Sequence, residues 1–180
     1  MAEHDLVIGG SGMLGGLVEE IARSGRLVSV VARGAARLDR LAARHPSIHP
    51  LPLDYTVDAA FDAGLATAAR LRGTFNRCVA WMHDDSKECA LRIARQVTSV
   101  YCQVLGSASA DPAQPEALAE WQKLFPAAPQ LRLAVLGFVL EGGTSRWLTN
   151  DEISTGVGRA LESEDPVTIV GTVTPWSARP

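Results

Sequence analysis

The stretch Val7-Ile8-Gly9-Gly10-Ser11-Gly12-Met13-Leu14-Gly15-Gly16 limits what this chain can fold into more than any other. A short apolar run meets a glycine cluster, and an amphipathic segment follows, which reads as strand, tight turn and helix start. Two spacings overlap: Gly10, Gly12 and Gly15 form GxGxxG, while Gly9, Gly12 and Gly15 form GxxGxxG. Both spacings answer the same physical needs. One glycine turns the chain at positive φ, one lets the backbone approach a pyrophosphate, and one lets the helix pack closely on the strand. Amides at the helix start then face the anion.

The chain has 180 residues, enough for one domain with a substantial core and too few for two, so residues 1–180 are expected to form a single domain. A net charge of -3 argues against a nucleic-acid surface. Arginine largely replaces lysine, the only lysines being Lys87 and Lys123. Cys78, Cys89 and Cys102 lack CxxC spacing, so reduced, buried thiols are expected rather than a disulfide framework or a metal site. Glu3 and Asp5 precede the first apolar run, which fits no signal peptide, and no apolar run approaches the roughly 18 residues of a membrane span. A cytoplasmic protein with neither membrane nor nucleic-acid partners is the expectation.

Strand and helix signals alternate along the chain. Strands are expected at Asp5–Ile8, Leu27–Ala32, Ile48–Leu53, Phe75–Met82, Val100–Leu105, Leu131–Leu140 and Val167–Val173. Pro50 and Pro52 push the third toward the sheet edge. Helices are expected at Gly12–Ser24, Ala35–Arg44, Val57–Leu71, Asp85–Val97 and Pro115–Phe125, with a loop over Glu141–Trp147. Thr149-Asn150-Asp151-Glu152 is a capping box that opens a last helix, continued by the stripe Ile153, Val157 and Leu161. Asp84, Asp85 and Glu88 read as acids offsetting a helix dipole. This alternation specifies an α/β fold: one doubly wound parallel sheet of Rossmann type, ordered 3-2-1-4-5-6 with a seventh strand. Ligands of such sheets bind at the carboxyl ends of the strands, near the switch point between the first and fourth.

The pieces GGSGMLG, VVARGAARLDRLA, LPLDYT and VLGSAS, after the first, second, third and fifth strands, together resemble the short-chain dehydrogenase/reductase superfamily over roughly the first 110 residues. The resemblance implies a nicotinamide dinucleotide, with Asp54 near the adenine, and SRWLTNDEISTGVGRALES followed by VTIVG looks like the end of a small atypical member. The family's main branch carries a tyrosine with a lysine four residues later. The only tyrosines here, Tyr55 and Tyr101, are followed at that distance by Ala59 and Leu105. The family's asparagine-alanine-glycine after the fourth strand is replaced by Ala80-Trp81-Met82-His83.

Gly9, Ser11, Gly12, Met13, Leu14 and Gly15 are therefore candidate cofactor contacts, joined by Arg33, Asp54, Tyr55 and Trp81. Arg33 follows the second strand, where an NAD site would place an acidic residue for the ribose hydroxyl. A guanidinium there suits a 2′-phosphate, so NADP is expected ahead of NAD. Asp54 could equally cap the following helix. Ser107, which resembles the family serine that binds a substrate carbonyl, and His83, a possible acid at the cofactor mouth, are the catalytic candidates. Arg146 reads either as an anion binder or as a solvated loop residue, and Trp147 and Trp176 read as packing residues. The expected activity is reduction or oxidation of a small carbonyl or unsaturated substrate by an NADP-dependent oxidoreductase. The alternative is a noncatalytic NADP(H)-binding sensor or scaffold. A homodimer is expected, through the helix of Asp85–Val97 or the tail around Trp176.

Overall fold

The computed structural model describes residues 2–83, 87–125 and 129–180. Asp84, Asp85 and Pro126 lie outside the described residues. The elements run β1 (His4–Ile8), α1 (Gly15–Arg23), β2 (Leu27–Ala32), α2 (Ala35–Ala42), β3 (Ile48–Pro52), α3 (Asp58–Arg72), β4 (Phe75–Ala80), α4 (Lys87–Ala94) and β5 (Val97–Leu105). After a short 3₁₀ turn at Ser107–Ala110 come α5 (Ala117–Leu124), β6 (Gln130–Leu136), β7 (Phe138–Glu141), β8 (Thr144–Trp147), α6 (Asn150–Glu162) and β9 (Val167–Val170). Seven strands form one parallel sheet in the order β3-β2-β1-β4-β5-β6-β9. The expected order and seventh strand are both present, and Pro50 and Pro52 stand on the edge strand β3, where missing amides leave no ladder broken on the outer side.

The strands read as nearly continuous apolar runs because both sheet faces are covered. Leu6, Ile8, Cys78, Ala80 and Tyr101 point into one core, which Phe61 and Leu65 of α3 and Ile93 of α4 complete. Val7, Val79, Cys102 and Val104 point into the other, closed by Val18 and Ile21 of α1 and Val157 of α6. The three cysteines are free and buried, and burial pushes the Cys102 thiol up to about 12. The capping box forms as expected. Thr149 Oγ1 accepts from the Glu152 amide at 3.3 Å, and Glu152 Oε2 accepts from the Thr149 amide at 2.8 Å.

Several boundaries differ from the sequence expectation, each for a local reason. The first helix starts at Gly15, not Gly12, since residues 10 to 14 are spent in the turn. Val97 opens β5 rather than closing a helix, because Val97-Thr98-Ser99-Val100 favours extended backbone. The sixth strand breaks at Gly137, whose backbone packs against that of Thr172. The expected loop over Glu141–Trp147 is instead a two-stranded hairpin, β7 with β8. Gly142 and Gly143, at φ 58° and 82°, supply the two positive-φ positions that a tight hairpin turn requires. The last strand ends at Val170, because Gly171 turns the chain at φ 79°.

At the amino end of the sheet, polar groups replace the apolar pattern and are paired. The Asp5 carboxylate accepts from Arg26 Nε at 2.7 Å and from Arg77 Nη2 at 2.6 Å. Beside it, His4 is buried with Nδ1 2.8 Å from the Gly73 carbonyl oxygen and Nε2 2.9 Å from Ser29 Oγ. With a carbonyl as partner Nδ1 donates, and a neutral ring leaves Nε2 to accept from the serine. Burial pushes the His4 pKa below 6.5, opposed by the Gly73 hydrogen bond and assisted by the charge of Arg72. The unfolded chain therefore takes up this proton first as pH falls. Below about pH 6.5 the unfolded state binds more protons than the native one, so stability declines through that window. Urea denaturation at pH 7.5, 6.0 and 5.0 is expected to show this decline in the unmodified protein and a shallower one in His4→Asn. Equal slopes would remove His4 from the explanation.

Candidate functional site

The glycine loop at the end of β1 divides its tasks among separate residues. Gly9 turns the chain at φ 77° and donates its amide to the Val31 carbonyl at 2.9 Å. A Cβ there would lie 2.5 Å from the carbonyl oxygen of Trp81 at the end of β4. Gly10 is the close-packing glycine: a Cβ would stand 2.8 Å from methyl groups of both Val7 and Val30. Gly12 differs from both. Its φ is unremarkable and, among the described residues, no atom beyond its chain neighbours lies within 4 Å of a Cβ built on it, so no contact there requires glycine.

Leu14 is wholly buried beneath the loop and precedes α1 without a side-chain cap, and the first turn of α1 carries no acid. The helix therefore presents amides and the positive end of its dipole with no carboxylate of its own to offset them. Ser154 of α6 donates to the Met13 carbonyl at 2.8 Å and sits against Gly16, bracing the loop from a helix about 140 residues downstream in sequence. No local sequence signal indicates that brace.

A cavity of about 430 Å³ opens beside the loop at the carboxyl ends of β1 to β4, a size ordinary for a small-molecule site. Gly9, Ser11, Gly12 and Met13 form one side. Arg33, Gly34 and Arg37 form the second, and Leu53, Tyr55, Trp81 and His83 the third. An adjoining cavity of about 310 Å³ shares Ser11, Gly12 and Arg37, includes Gly15, and adds Arg40 and Arg44. Arg44 is paired with Glu19. Among the described residues Arg33, Arg37 and Arg40 have no acidic partner within ion-pair distance; Asp54 lies near enough to Arg33 to feel its charge, and Asp151 lines the adjoining cavity with Arg37 and Arg40. Arg37 was not evident from sequence; it is the third residue of α2 and lines the same cavity as Arg33.

Asp54 is next to the cavity, with its neighbours Leu53 and Tyr55 in the lining. Its carboxylate turns back to accept from the Thr56 amide at 3.0 Å and the Thr56 hydroxyl at 2.8 Å. Those hydrogen bonds, with a smaller contribution from the charge of Arg33, hold it below the usual carboxylate range. It does not cap α3, whose N-cap is Val57 with no side-chain hydrogen bond. The Tyr55 hydroxyl accepts from the His83 amide at 3.0 Å, and the Trp81 ring meets the His83 ring edge-on at 5.2 Å between centroids. His83 is thereby held at the cavity rim. Tyr101 is fully buried in the core, its hydroxyl donating to Gln103 at 3.1 Å.

Ser107 follows β5 but is not part of that cavity lining. It is buried, and its Oγ accepts from Nε of Arg179 at 2.9 Å. Arg146 is committed elsewhere: Nη1 and Nη2 donate to the Glu152 carboxylate at 2.9 and 3.0 Å, and Nη2 also to Glu141 at 3.0 Å. Its hydrogen bonds draw Glu152 down to about 2. The anion-binding reading of Arg146 is thus replaced by an intramolecular pairing. Trp147, expected to be buried, is 48% exposed.

Neither a protein-family model nor a curated protein matches the sequence. Solved structures do. A short-chain dehydrogenase from Bacillus anthracis aligns with TM-score 0.70 at 12% identity, over 95% of this chain and 96% of its own. The fold is that of the short-chain dehydrogenases. A glucose dehydrogenase of Caenorhabditis elegans in its apo form aligns with TM-score 0.68 at 14% identity, over 97% of this chain and 98% of its own. A metagenomic short-chain oxidoreductase in complex with NADP aligns with TM-score 0.66 at 13% identity, over 94% and 97%. At these identities the likeness is one of architecture.

The two central glycines are expected to separate in a stability measurement. Gly10→Ala forces a methyl against Val7 and Val30 and should lower stability by about 1–3 kcal/mol, whereas Gly12→Ala should change it by less than about 0.5 kcal/mol. Thermal denaturation of both variants checks this, and equal losses would contradict the division of tasks.

Proposed function

We propose that this chain is an NADP-dependent oxidoreductase of atypical short-chain type acting on a small carbonyl or unsaturated substrate. The observation that carries the reading is the cavity in which the open space over Gly12 faces Arg33 and Arg37. The residues fit such a group. Backbone at Gly9, Ser11, Gly12 and Met13, with the start of α1, would hold the pyrophosphate, with Gly15 and Leu14 shaping the helix entry beneath it. Arg33 and Arg37 would hold a 2′-phosphate, and Leu53, Tyr55 and Trp81 would supply apolar walls, with Asp54 ordering the loop between them. When bound, the dinucleotide supplies hydride chemistry. The protein contributes orientation and polarisation, through the Ser107 hydroxyl and through His83 at the rim.

A second reading is a noncatalytic NADP(H) sensor or scaffold. It is favoured by one observation: Tyr101 is sealed in the core and Tyr55 is engaged with His83, so neither tyrosine is free for proton transfer. Turnover of carbonyls, imines or quinones with NADPH, lost in Ser107→Ala or His83→Ala, separates the two readings. Among the described residues no helix is long and apolar enough to cross a membrane, and the proposed setting is the cytoplasm. The proposed assembly is a symmetric homodimer, which a monomeric mass by light scattering would contradict.

Cofactor choice gives a sharper test. The unmodified protein should bind NADPH about 10- to 100-fold more tightly than NADH, the worth of a charge-assisted phosphate contact. Arg33→Ala should remove most of that difference, and salt should erode it. Gly12→Val should abolish binding of both cofactors while leaving the fold intact. Calorimetric titration of both cofactors at two salt concentrations decides this, and equal affinities in the unmodified protein would end the NADP assignment.

A further inference from the structure

Beyond β9 the chain folds back across the sheet. Phe138 and Thr172 exchange two backbone hydrogen bonds of 2.8 Å at the carboxyl end of β6. A 3₁₀ turn at Trp176–Ala178 follows, and Arg179 then reaches Ser107, its Nε donating to Oγ at 2.9 Å. Among the described residues Arg179 is the one hydrogen-bond partner of the Ser107 hydroxyl. The guanidinium carbon stands 5.4 Å from the Trp147 ring centroid and 5.2 Å from that of Trp176, within cation–π range of both. Trp147, which the core does not use, thus serves as a platform for Arg179.

The rest of this segment is held weakly. From Gly171 to Pro180 no residue is buried. Thr174, Ala178 and the Arg179 amide bond only to acceptors within residues 172–176. Among the described residues, the Arg179 side chain therefore supplies the only hydrogen bond from residues 173–180 to the body of the molecule. One charge-assisted hydrogen bond and a cation–π contact on the body are worth about a 10- to 100-fold preference for the docked arrangement. Segments held by so few contacts open locally without the fold opening.

We propose that residues 173–180 form an autoinhibitory strap whose Arg179 end caps Ser107. A substrate oxygen has to come within about 3 Å of Oγ to accept its proton. With the strap docked Ser107 is 5% exposed and Arg179 lies against that oxygen, so a carbonyl on a carbon skeleton reaches it only after Arg179 has moved. Substrate affinity is then lowered by the fraction of molecules in which the strap is docked. No residue of the strap lines the cavity between Gly12 and Arg33, so the nucleotide enters with the strap in place. The inhibitory role rests on the reading of Ser107 as the group that polarises the substrate; the docking itself does not.

The test compares the full chain with Arg179→Ala and with Trp147→Ala, which removes the platform without touching Ser107. Hydrogen exchange reads the docking. In the unmodified protein the Ala178 and Arg179 amides should exchange about 10- to 100-fold more slowly than in free peptide. In Arg179→Ala they should approach the peptide rate, while Gly137, bonded to the Val170 carbonyl, keeps its protection. NADPH turnover of benzaldehyde, cyclohexanone and menadione reads the inhibition. The value of kcat/KM should rise about 10- to 100-fold in Arg179→Ala and about 2- to 5-fold in Trp147→Ala, with NADPH affinity unchanged. Exchange at the peptide rate in the unmodified protein would overturn the strap, as would turnover that stays level or falls in both variants. Turnover absent from all three proteins would overturn the oxidoreductase reading and the inhibitory role with it, and the docking would then be upheld or overturned by the exchange result alone.

Discussion

The carboxyl edge of the sheet depends on two missing side chains. Gly9 lets the end of β1 pass under the backbone of Trp81, and Gly10 lets α1 settle against Val7 and Val30. A Cβ at either would separate strand from strand or helix from sheet, and the cavity between β1, β2 and β4 would lose its floor. Close packing tolerates little such displacement, because neighbouring side chains already fill the interior. Gly12 belongs to a different category. The fold leaves space over it, and no contact within the described residues requires glycine there.

Charge is arranged by end of the sheet. At the amino end, Arg26 and Arg77 converge on the buried Asp5, with Glu3 and Glu162 adding outer partners. Burial still pushes the Asp5 carboxyl above its ordinary value, with Arg77 pulling the other way. At the carboxyl end, Arg33, Arg37 and Arg40 make no ion pair among the described residues, beside a helix start that carries no acid, although Asp151 lines one of the two cavities. The same residue type is thus ion-paired at one end of the molecule and, for these three arginines, not directly paired at the other. Composition could not show this, since a net charge of -3 says nothing of which arginines are paired.

Much of the fold could be read from residues in order. The alternation of apolar runs with helical spacing led to a doubly wound sheet because covered strands must be apolar on both faces. Pro50 and Pro52 placed β3 at the edge, and the capping box placed the start of α6. The β7–β8 hairpin was legible in principle: Gly142-Gly143 between extended segments is a two-residue hairpin turn, but the apolar run through Leu140 hid the break at Gly137. That break arises from contact with Thr172, about 35 residues away in sequence, so no local pattern could reveal it.

The glycine loop, the place of Arg33 and the carboxyl ends of β1, β2 and β5 could be read from sequence alone, because they depend on backbone freedom and on position within a repeating strand-helix unit. Tertiary structure decided which cations are compensated. Arg146 found Glu152 through the hairpin, whereas Arg179 found Ser107 and two tryptophans through a tail folded back across β6. Sequence spacing governs contacts along one element, where period and reach are known. Contacts between elements joined by long crossovers are set by how the layers close, and that closure brought Ser154 to Met13, His83 to Tyr55 and Arg179 to Ser107.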